Sequence, residues 1–186
     1  MNAPMQNLAI SLGVMQVARK IPFDDPDVLL YVRIGYVVTQ AICLAVYFYI
    51  SQKVKSKNDQ TVLKYVEPPN QMTQEPGNLV TTTIRDYDLA EVSKLIRSTL
   101  TSVAMMGFLH LYMQYTQPLF VQALMGLKSL YESNEVKIYV LGKAPEGDLK
   151  RPFKAAGGLF GPAAGPATDK AAIDEAEKRI GGKKEE

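Results

Sequence analysis

The amino-acid sequence predicts an all-α membrane protein: a small bundle of two to four membrane helices with a polar cytosolic loop and a disordered C-terminal tail. Three observations predict it. Val28 to Ile50, VLLYVRIGYVVTQAICLAVYFYI, runs 23 residues with one charge, Arg33. Ser98 to Leu127 runs 30 residues without a formal charge when His110 is neutral. Between them 51–87 is polar, and 51–78 is charged and rich in turn residues.

The first stretch is the best defined. At about 1.5 Å per residue its helix covers roughly 34 Å, enough to cross a hydrocarbon core of about 30 Å. Asp24, Asp25 and Asp27 precede it, and Lys53, Lys55 and Lys57 follow. The lysine flank places its C-terminal end in the cytosol. Pro26 and the carboxylates suit a helix start, because acidic groups complement the N-terminal dipole. Upstream, residues 1–18 carry no side-chain charge, and Leu8 to Ala18 is apolar with interruptions at Ser11 and Gln16. That run is short for a full span, so it reads as a thin, polar-faced membrane helix or as an interfacial segment.

Downstream, Pro68-Pro69 and Pro76-Gly77 force loops. Asp88 and Glu91 have capping-box spacing. Leu89, Val92, Leu95 and Ile96 then recur at helical intervals, with Glu91, Lys94 and Arg97 off that stripe. A straight 30-residue helix from Ser98 would reach about 45 Å, too long for one untilted span. Pro118 divides it into Ser98–Gln117, a second membrane helix, and Leu119 to about Ser133. In the latter Phe120, Leu124, Leu127 and Tyr131 form a stripe and Lys128 snorkels. Glu135 to Leu141, EVKIYVL, partly alternates and reads as an extramembrane strand. Residues 155–168 are Gly- and Pro-rich and read as disordered, and Asp169 to Ile180 as a short charged helix ended by Gly181-Gly182.

The resulting division is a membrane domain over 1–133, with apolar segments about 8–18, 28–50, 98–117 and 119–133 and a cytosolic loop 51–97. A basic extramembrane segment, 134–154, and a flexible tail, 155–186, follow. The preferred topology puts the N-terminus in the cytosol, 19–27 in the lumen, and 51–97 and the tail in the cytosol. Near its end the sequence carries Lys183 and Lys184 at the fourth and third positions from the last residue. In a membrane protein this pair matches the dilysine retrieval signal of the endoplasmic reticulum; a solvated charged tail is the plainer reading.

Composition excludes several classes. A net charge of +2 is too small to argue for DNA or other nucleic acid as the main partner. Cys43 is the only cysteine and lies inside the first span, which rules out a disulfide framework. No cleavable signal peptide is evident, because Arg19-Lys20 follows the first apolar run instead of preceding it. No phosphate-cradling glycine loop precedes a lysine, and no metal-ligand pair stands at helical spacing, so no enzyme, cofactor or metal is expected. Asp86, Asp88 and Glu91 read as capping and dipole residues.

Several stretches together carry a family resemblance: DDPD at 24–27, KNDQTVLKYVEP at 57–68, TTIRDYDLAEV at 82–92, MMGFLHLYMQYTQPLF at 105–120 and NEVKIYVLGKAPEGDLKRPFK at 134–154. They resemble a fungal family of endoplasmic reticulum membrane proteins. That family was first named for inorganic phosphate transport and is regarded as the third, membrane-embedded component of the SRP-independent (SND) targeting route. The resemblance covers about residues 1–154. It implies delivery of client membrane proteins to the endoplasmic reticulum beside the Sec translocon, with other SND components as partners.

Insertase activity is the sharper form of that expectation. Short or polar-faced helices thin the bilayer and keep a wet groove in it, which lowers the cost of moving a client's polar flank. The candidate polar groove residues are Asn7, Gln16, Arg33, Thr39, Gln40, Thr101, His110 and Gln114. Each has a plainer reading. Arg33 lies about 8 Å inside the span and can snorkel to headgroups. Thr39, Gln40 and Thr101 suit interhelical hydrogen bonds, and His110 suits a polar packing contact. Met105, Met106 and Met113 suit lipid contact, packing or an adaptable surface. Phosphate transport or maturation of a phosphate transporter, and a structural scaffold in a translocon assembly, are the competing functions. Selective anion passage wants converging cations and repeated helices, and neither is evident. Lys143, Lys150, Arg151 and Lys154 suit a positive-inside flank or a contact with ribosomal RNA.

Overall fold

Asp25 and Pro26 set the entry of the longest helix. The Asp25 carboxylate accepts from the Asp27 amide at 2.9 Å, and Pro26 occupies the first helical position. This is the start that the acidic cluster predicts. The computed structural model describes residues 3–68, 77–154 and 165–182. In chain order it contains α1 (Ala3–Ala18), α2 (Pro26–Lys57), β1 (Val62–Val66), β2 (Leu79–Thr83), α3 (Ile84–Leu111), α4 (Gln117–Glu132), α5 (Asn134–Tyr139) and α6 (Lys170–Gly182). Two compact units divide the chain: Met1–Lys53 with Ala90–Gly142, and Val54–Leu89 with Lys143–Glu186.

In the first unit four helices alternate in direction. Arg33 meets His110, and Tyr36 clusters with Met106 and Leu119, so α3 runs antiparallel to α2. Cys43 reaches the Gly126 carbonyl while Tyr36 meets Leu119, so α4 runs parallel to α2. Asn7 meets Lys128 and Ser11 meets Met125, so α1 runs antiparallel to α4. Among the described residues one helix, α2, is long and apolar enough to cross a membrane. The helices α1 and α4 have 16 residues each, roughly 24 Å. The charged first half of α3 leaves an uncharged helical portion, 98–111, of roughly 21 Å.

The span expected over Ser98–Gln117 is therefore shortened. The helix ends at Leu111, and Gln114 takes a left-handed conformation, φ 60°, with its side chain donating to the Leu111 carbonyl at 3.0 Å. Pro118 then falls at the second position of α4, where its missing N–H costs nothing. Lys128 does not snorkel alone. It bonds Asn7 Oδ1 at 2.6 Å and pairs with Glu132 one turn on. The strand expected at Glu135 to Leu141 is instead α5. The Ser133 hydroxyl caps it by accepting from the Val136 amide, Glu135 fills its first turn, and Val136 and Tyr139 are buried one turn apart. Lys53 donates to the Tyr139 carbonyl at 3.0 Å and satisfies an acceptor at the helix end.

The second unit builds on a two-stranded antiparallel ladder, β1 with β2, in which Val62 faces Thr83 and Val66 faces Leu79. Asn58, φ 46°, terminates α2 in the left-handed region that asparagine tolerates. Hydrogen bonding from Thr61 lowers the Asp59 pKa from its ordinary value. The helix α3 starts earlier than expected. The Thr83 hydroxyl accepts from the Asp86 amide at 3.1 Å, so Thr83, not Asp88, is the cap. Asp88 sits inside the helix, fully buried, and takes a two-pronged ion pair from Arg151, Nε–Oδ1 and Nη2–Oδ2 both 2.6 Å. Arg151 is consequently withdrawn from the exposed basic set expected to meet RNA. Beside this pair the Phe153 amide donates to the Tyr87 hydroxyl at 2.7 Å, and Tyr87 contacts the rings of Tyr65 and Phe153.

Part of the segment expected to be flexible is ordered in this unit. Ala167 bridges Val66 through both amides, α6 packs on β1, and Glu177 pairs with Lys64 at 3.2 Å. The bridge follows from β1 having an unpaired edge, which recruits any extended segment nearby. Residues 155–164, 183 and 184 lie outside the described residues, and so does the Pro76 turn.

Removing one partner of the buried pair leaves the other charge without compensation. Arg151→Ala is expected to destabilise the second unit by about 3–5 kcal/mol, read by thermal unfolding in detergent. The double change Asp88→Leu with Arg151→Met is expected to recover most of the loss, because a neutral pair of similar volume needs no desolvation.

Candidate functional site

The antiparallel register of α2 and α3 brings three polar helix faces together. Gln40, Cys43 and Tyr47 come from α2, Leu95, Ser98, Thr99 and Ser102 from α3, and Gln122, Met125, Gly126 and Ser129 from α4. They enclose a half-open cavity of about 240 Å³. Each set repeats at three- and four-residue steps, so each is one face of its helix. Gly126 sits close against α2. Its absent Cβ would lie 3.7 Å from both Gln40 Nε2 and Thr39 Cγ2, and the thiol of Cys43 approaches its carbonyl at 3.9 Å. The Thr99 hydroxyl bonds back to the Leu95 carbonyl at 2.9 Å. Gln122 Oε1 is buried without a hydrogen-bond partner.

The level of the cavity matters as much as its lining. Gln40 is close to the middle of the apolar stretch 28–50, whereas Ser98 and Leu95 border the charged half of α3. Lys94 and Arg97 consequently stand beside the latter half of that apolar stretch, toward its lysine-flanked end. The cavity is uncharged, and its hydroxyls and amides offer both donors and acceptors.

A second polar contact lies deeper along α3. Arg33 Nε donates to His110 Nε2 at 2.9 Å, and His110 Nδ1 is 3.2 Å from the Tyr115 carbonyl. Because Nε2 accepts, Nδ1 carries the proton and donates to Tyr115. Arg33 thus has a defined partner on α3, and His110 makes the polar packing contact that its isolation in the sequence suggests. Among the described residues no cluster of metal-binding side chains occurs.

The eight expected groove residues separate into several settings. Gln40 alone lines the polar cavity; Thr39 lines a separate apolar one. Arg33 and His110 bond each other. Asn7 is exposed and holds Lys128. Gln16 and Thr101 are exposed, and Gln114 belongs to the turn after α3. Ser98, Ser102, Gln122 and Ser129 escape a reading that looks for isolated polar residues. Their signal was spacing: Ser98 with Ser102, and Gln122 with Ser129, fall on single helical faces within uncharged sequence. Of the methionines, Met106 is buried against Tyr36 and Leu119, while Met105 and Met113 are exposed.

Fold and cavity define a class: a small, mostly helical protein with one helix of membrane-crossing length and a polar cavity among its helices. The chain belongs to the Pho88 family, described as Phosphate transport, which matches residues 1–184. It is 48% identical over 180 residues to SRP-independent targeting protein 3 of Saccharomyces cerevisiae, covering 96% of this chain and 95% of that protein. It is 38% identical over 177 residues to the SRP-independent targeting protein 3 homolog of Schizosaccharomyces pombe, covering 95% and 91%. No solved structure matches the chain.

His110 is the only histidine, so its ring signals can be assigned directly. Nitrogen NMR of the chain in micelles is expected to report the Nδ1–H tautomer at neutral pH. Arg33→Leu is expected to shift the ring toward a tautomer mixture, because the donor that fixes Nε2 as an acceptor is gone.

Proposed function

We propose that this chain is a non-enzymatic membrane component of SRP-independent protein targeting, and that it acts at the endoplasmic reticulum as an insertase for client membrane proteins. The names of its relatives support the targeting role. The observation that carries the sharper reading is the cavity, lined in part by hydroxyls and amides, that runs from the middle of the apolar stretch of α2 toward its lysine-flanked end. A client's polar flank must cross an apolar layer, where a charged side chain at the centre costs about 2.5–3.5 kcal/mol. A polar cavity at that level replaces part of the lost hydration. Flanking helices of roughly 24 Å, against a core of about 30 Å, favour local thinning and shorten the path.

In this reading the chain is multi-pass. The N-terminus and the lysine-flanked end of α2 are then cytosolic, in keeping with helices that alternate in direction, and Lys183 and Lys184 serve as a cytosolic retrieval signal. The Sec translocon, other SND components and the surrounding lipid bilayer are its partners. Lys143, Lys150 and Lys154 offer a further contact to the ribosome. The step needs no nucleotide or cofactor.

Phosphate transport, the family's description, is the second reading. The cavity lining carries no cation, and Arg33 is engaged by His110 away from it. An uncharged lining gives little selectivity for a phosphate anion.

Reconstitution of the purified chain into liposomes separates these readings. Protected insertion of a short-loop client above empty liposomes, without phosphate uptake, is expected. Gln40→Leu combined with Ser102→Leu is expected to slow insertion about tenfold while preserving the fold, equivalent to about 1.4 kcal/mol of barrier. Phosphate uptake without insertion overturns the proposal in favour of transport. Absence of both signals leaves a scaffold in a translocon assembly.

A further inference from the structure

The hairpin of the second unit uses only one side of β1. Ile84 donates to the Thr61 carbonyl and Glu67 to the Asn78 carbonyl, both at 2.9 Å. The register carries the same alternation through Leu63 with Thr82 and Tyr65 with Val80. Val62, Lys64 and Val66 therefore turn their amides and carbonyls away from β2. Ala167 takes both groups of Val66, at 2.9 and 3.0 Å. Among the described residues nothing pairs with the outward backbone groups of Val62 and Lys64, and Val62 is 65% exposed.

The chain's own segment stops after one pair for a local reason. In the register that Ala167 sets, Asp169 would stand opposite Lys64 and Ala171 opposite Val62. Asp169 instead caps α6. Its carboxylate accepts from the Ala172 amide and its carbonyl from the Ile173 amide, each at 3.2 Å. The helix draws the chain off the edge, and Lys64 meets Glu177 of α6 with both side chains about half exposed. An exposed pair holds weakly. Among the described side chains of α6 only Ala176 is buried. Residues 165–182 thus rest on the hairpin through one bridge, an exposed ion pair and a lightly buried helix face.

We propose that the outer edge of β1 is a docking site for an extended acidic segment of a partner protein, and that residues 165–182 cover it as a displaceable strap. A partner strand running antiparallel to β1, as Ala167 does, pairs with Val66, Lys64 and Val62, where the chain's own segment pairs with Val66 alone. Alternation also selects its side chains. Opposite Val66 it carries a small residue, as Ala167 shows. Opposite Lys64 it carries an acid, the charge that Glu177 supplies in this structure, and opposite the exposed Val62 an apolar residue. The site lies wholly in the second unit and does not rest on the insertase reading.

Fluorescence anisotropy of a labelled peptide, Thr-Ala-Thr-Glu-Thr-Val-Thr, titrated with the full chain in detergent tests the site. Its alanine, glutamate and valine fall opposite Val66, Lys64 and Val62. The strap weakens apparent affinity by the fraction of chains in which the edge is open. Ala167→Pro removes the amide that donates to Val66 and is expected to tighten binding about tenfold. Glu177→Gln frees Lys64 at an exposed position, is expected to tighten binding about threefold, and keeps the test decisive if Ala167→Pro fails to fold. A peptide with lysine in place of glutamate is expected to bind about fivefold more weakly, and Lys64→Glu is expected to reverse that preference. Hydrogen exchange is expected to show the Val62 and Lys64 amides slowed by the peptide. Equal affinity in the wild type and both strap variants overturns the strap. No binding, or no preference for glutamate over lysine, overturns the acidic docking site, and protection elsewhere than β1 overturns its location.

Discussion

The register of α3 against α2 is the constraint from which the first unit follows. Arg33 with His110, Tyr36 with Met106, and Gln40 with Ser102 mark three successive levels of one antiparallel pair. Sliding α3 by a turn would separate Arg33 from its acceptor within an apolar stretch of sequence, where the alternative partners are few. The pairing therefore fixes more than one contact. It decides which residues of α3 stand at the middle of α2, and they are serines and a threonine. It also places Lys94 and Arg97 beside apolar sequence on α2, which by itself would call for a lipid surface.

Helix length is the second determinant. Only α2 is both long and apolar enough to cross a typical bilayer among the described residues, since the first half of α3 is charged. Its companions are shorter, and their ends are tied by side chains. Asn7 and Lys128 join α1 to α4, and the Gln114 side chain caps the Leu111 carbonyl at the end of α3. In the proposed membrane setting, the bilayer adjusts its thickness to such a bundle more readily than the protein stretches, because the mismatch cost per ångström of bilayer is small. The polar cavity and the apolar groove then face different tasks. One offers hydroxyls and amides, and the other is lined almost wholly by apolar side chains.

The second unit depends on an ion pair instead of a large core. Asp88 and Arg151 are 63 residues apart in sequence and meet through two short hydrogen bonds while almost fully buried. Such a pair gains little over an apolar one but penalises any arrangement that breaks it. It anchors the basic segment after Gly142 to the first turns of α3. Tyr87, one residue before Asp88, extends the same anchor to Phe153 through its hydroxyl and its ring. The hairpin, the Ala167 bridge and α6 complete the unit around this point.

The sequence by itself determined the features that depend on neighbouring residues. The 28–50 stretch, its acidic and proline entry, the break before Pro118 and the helix after it are local in cause, and the structure carries each. Asp88 and EVKIYVL mislead for the same reason in reverse. Their spacing suits a cap and a strand, but Arg151 lies 63 positions away, and Ser133 supplies a stronger local start than alternation can oppose. Tertiary structure alone decided which polar residues meet. Of eight isolated candidates only Gln40 reaches the polar cavity, because membership depends on which face of each helix the register turns inward. Hydrogen-bonding capacity is written in the side chain, but the partner that satisfies it is chosen by packing.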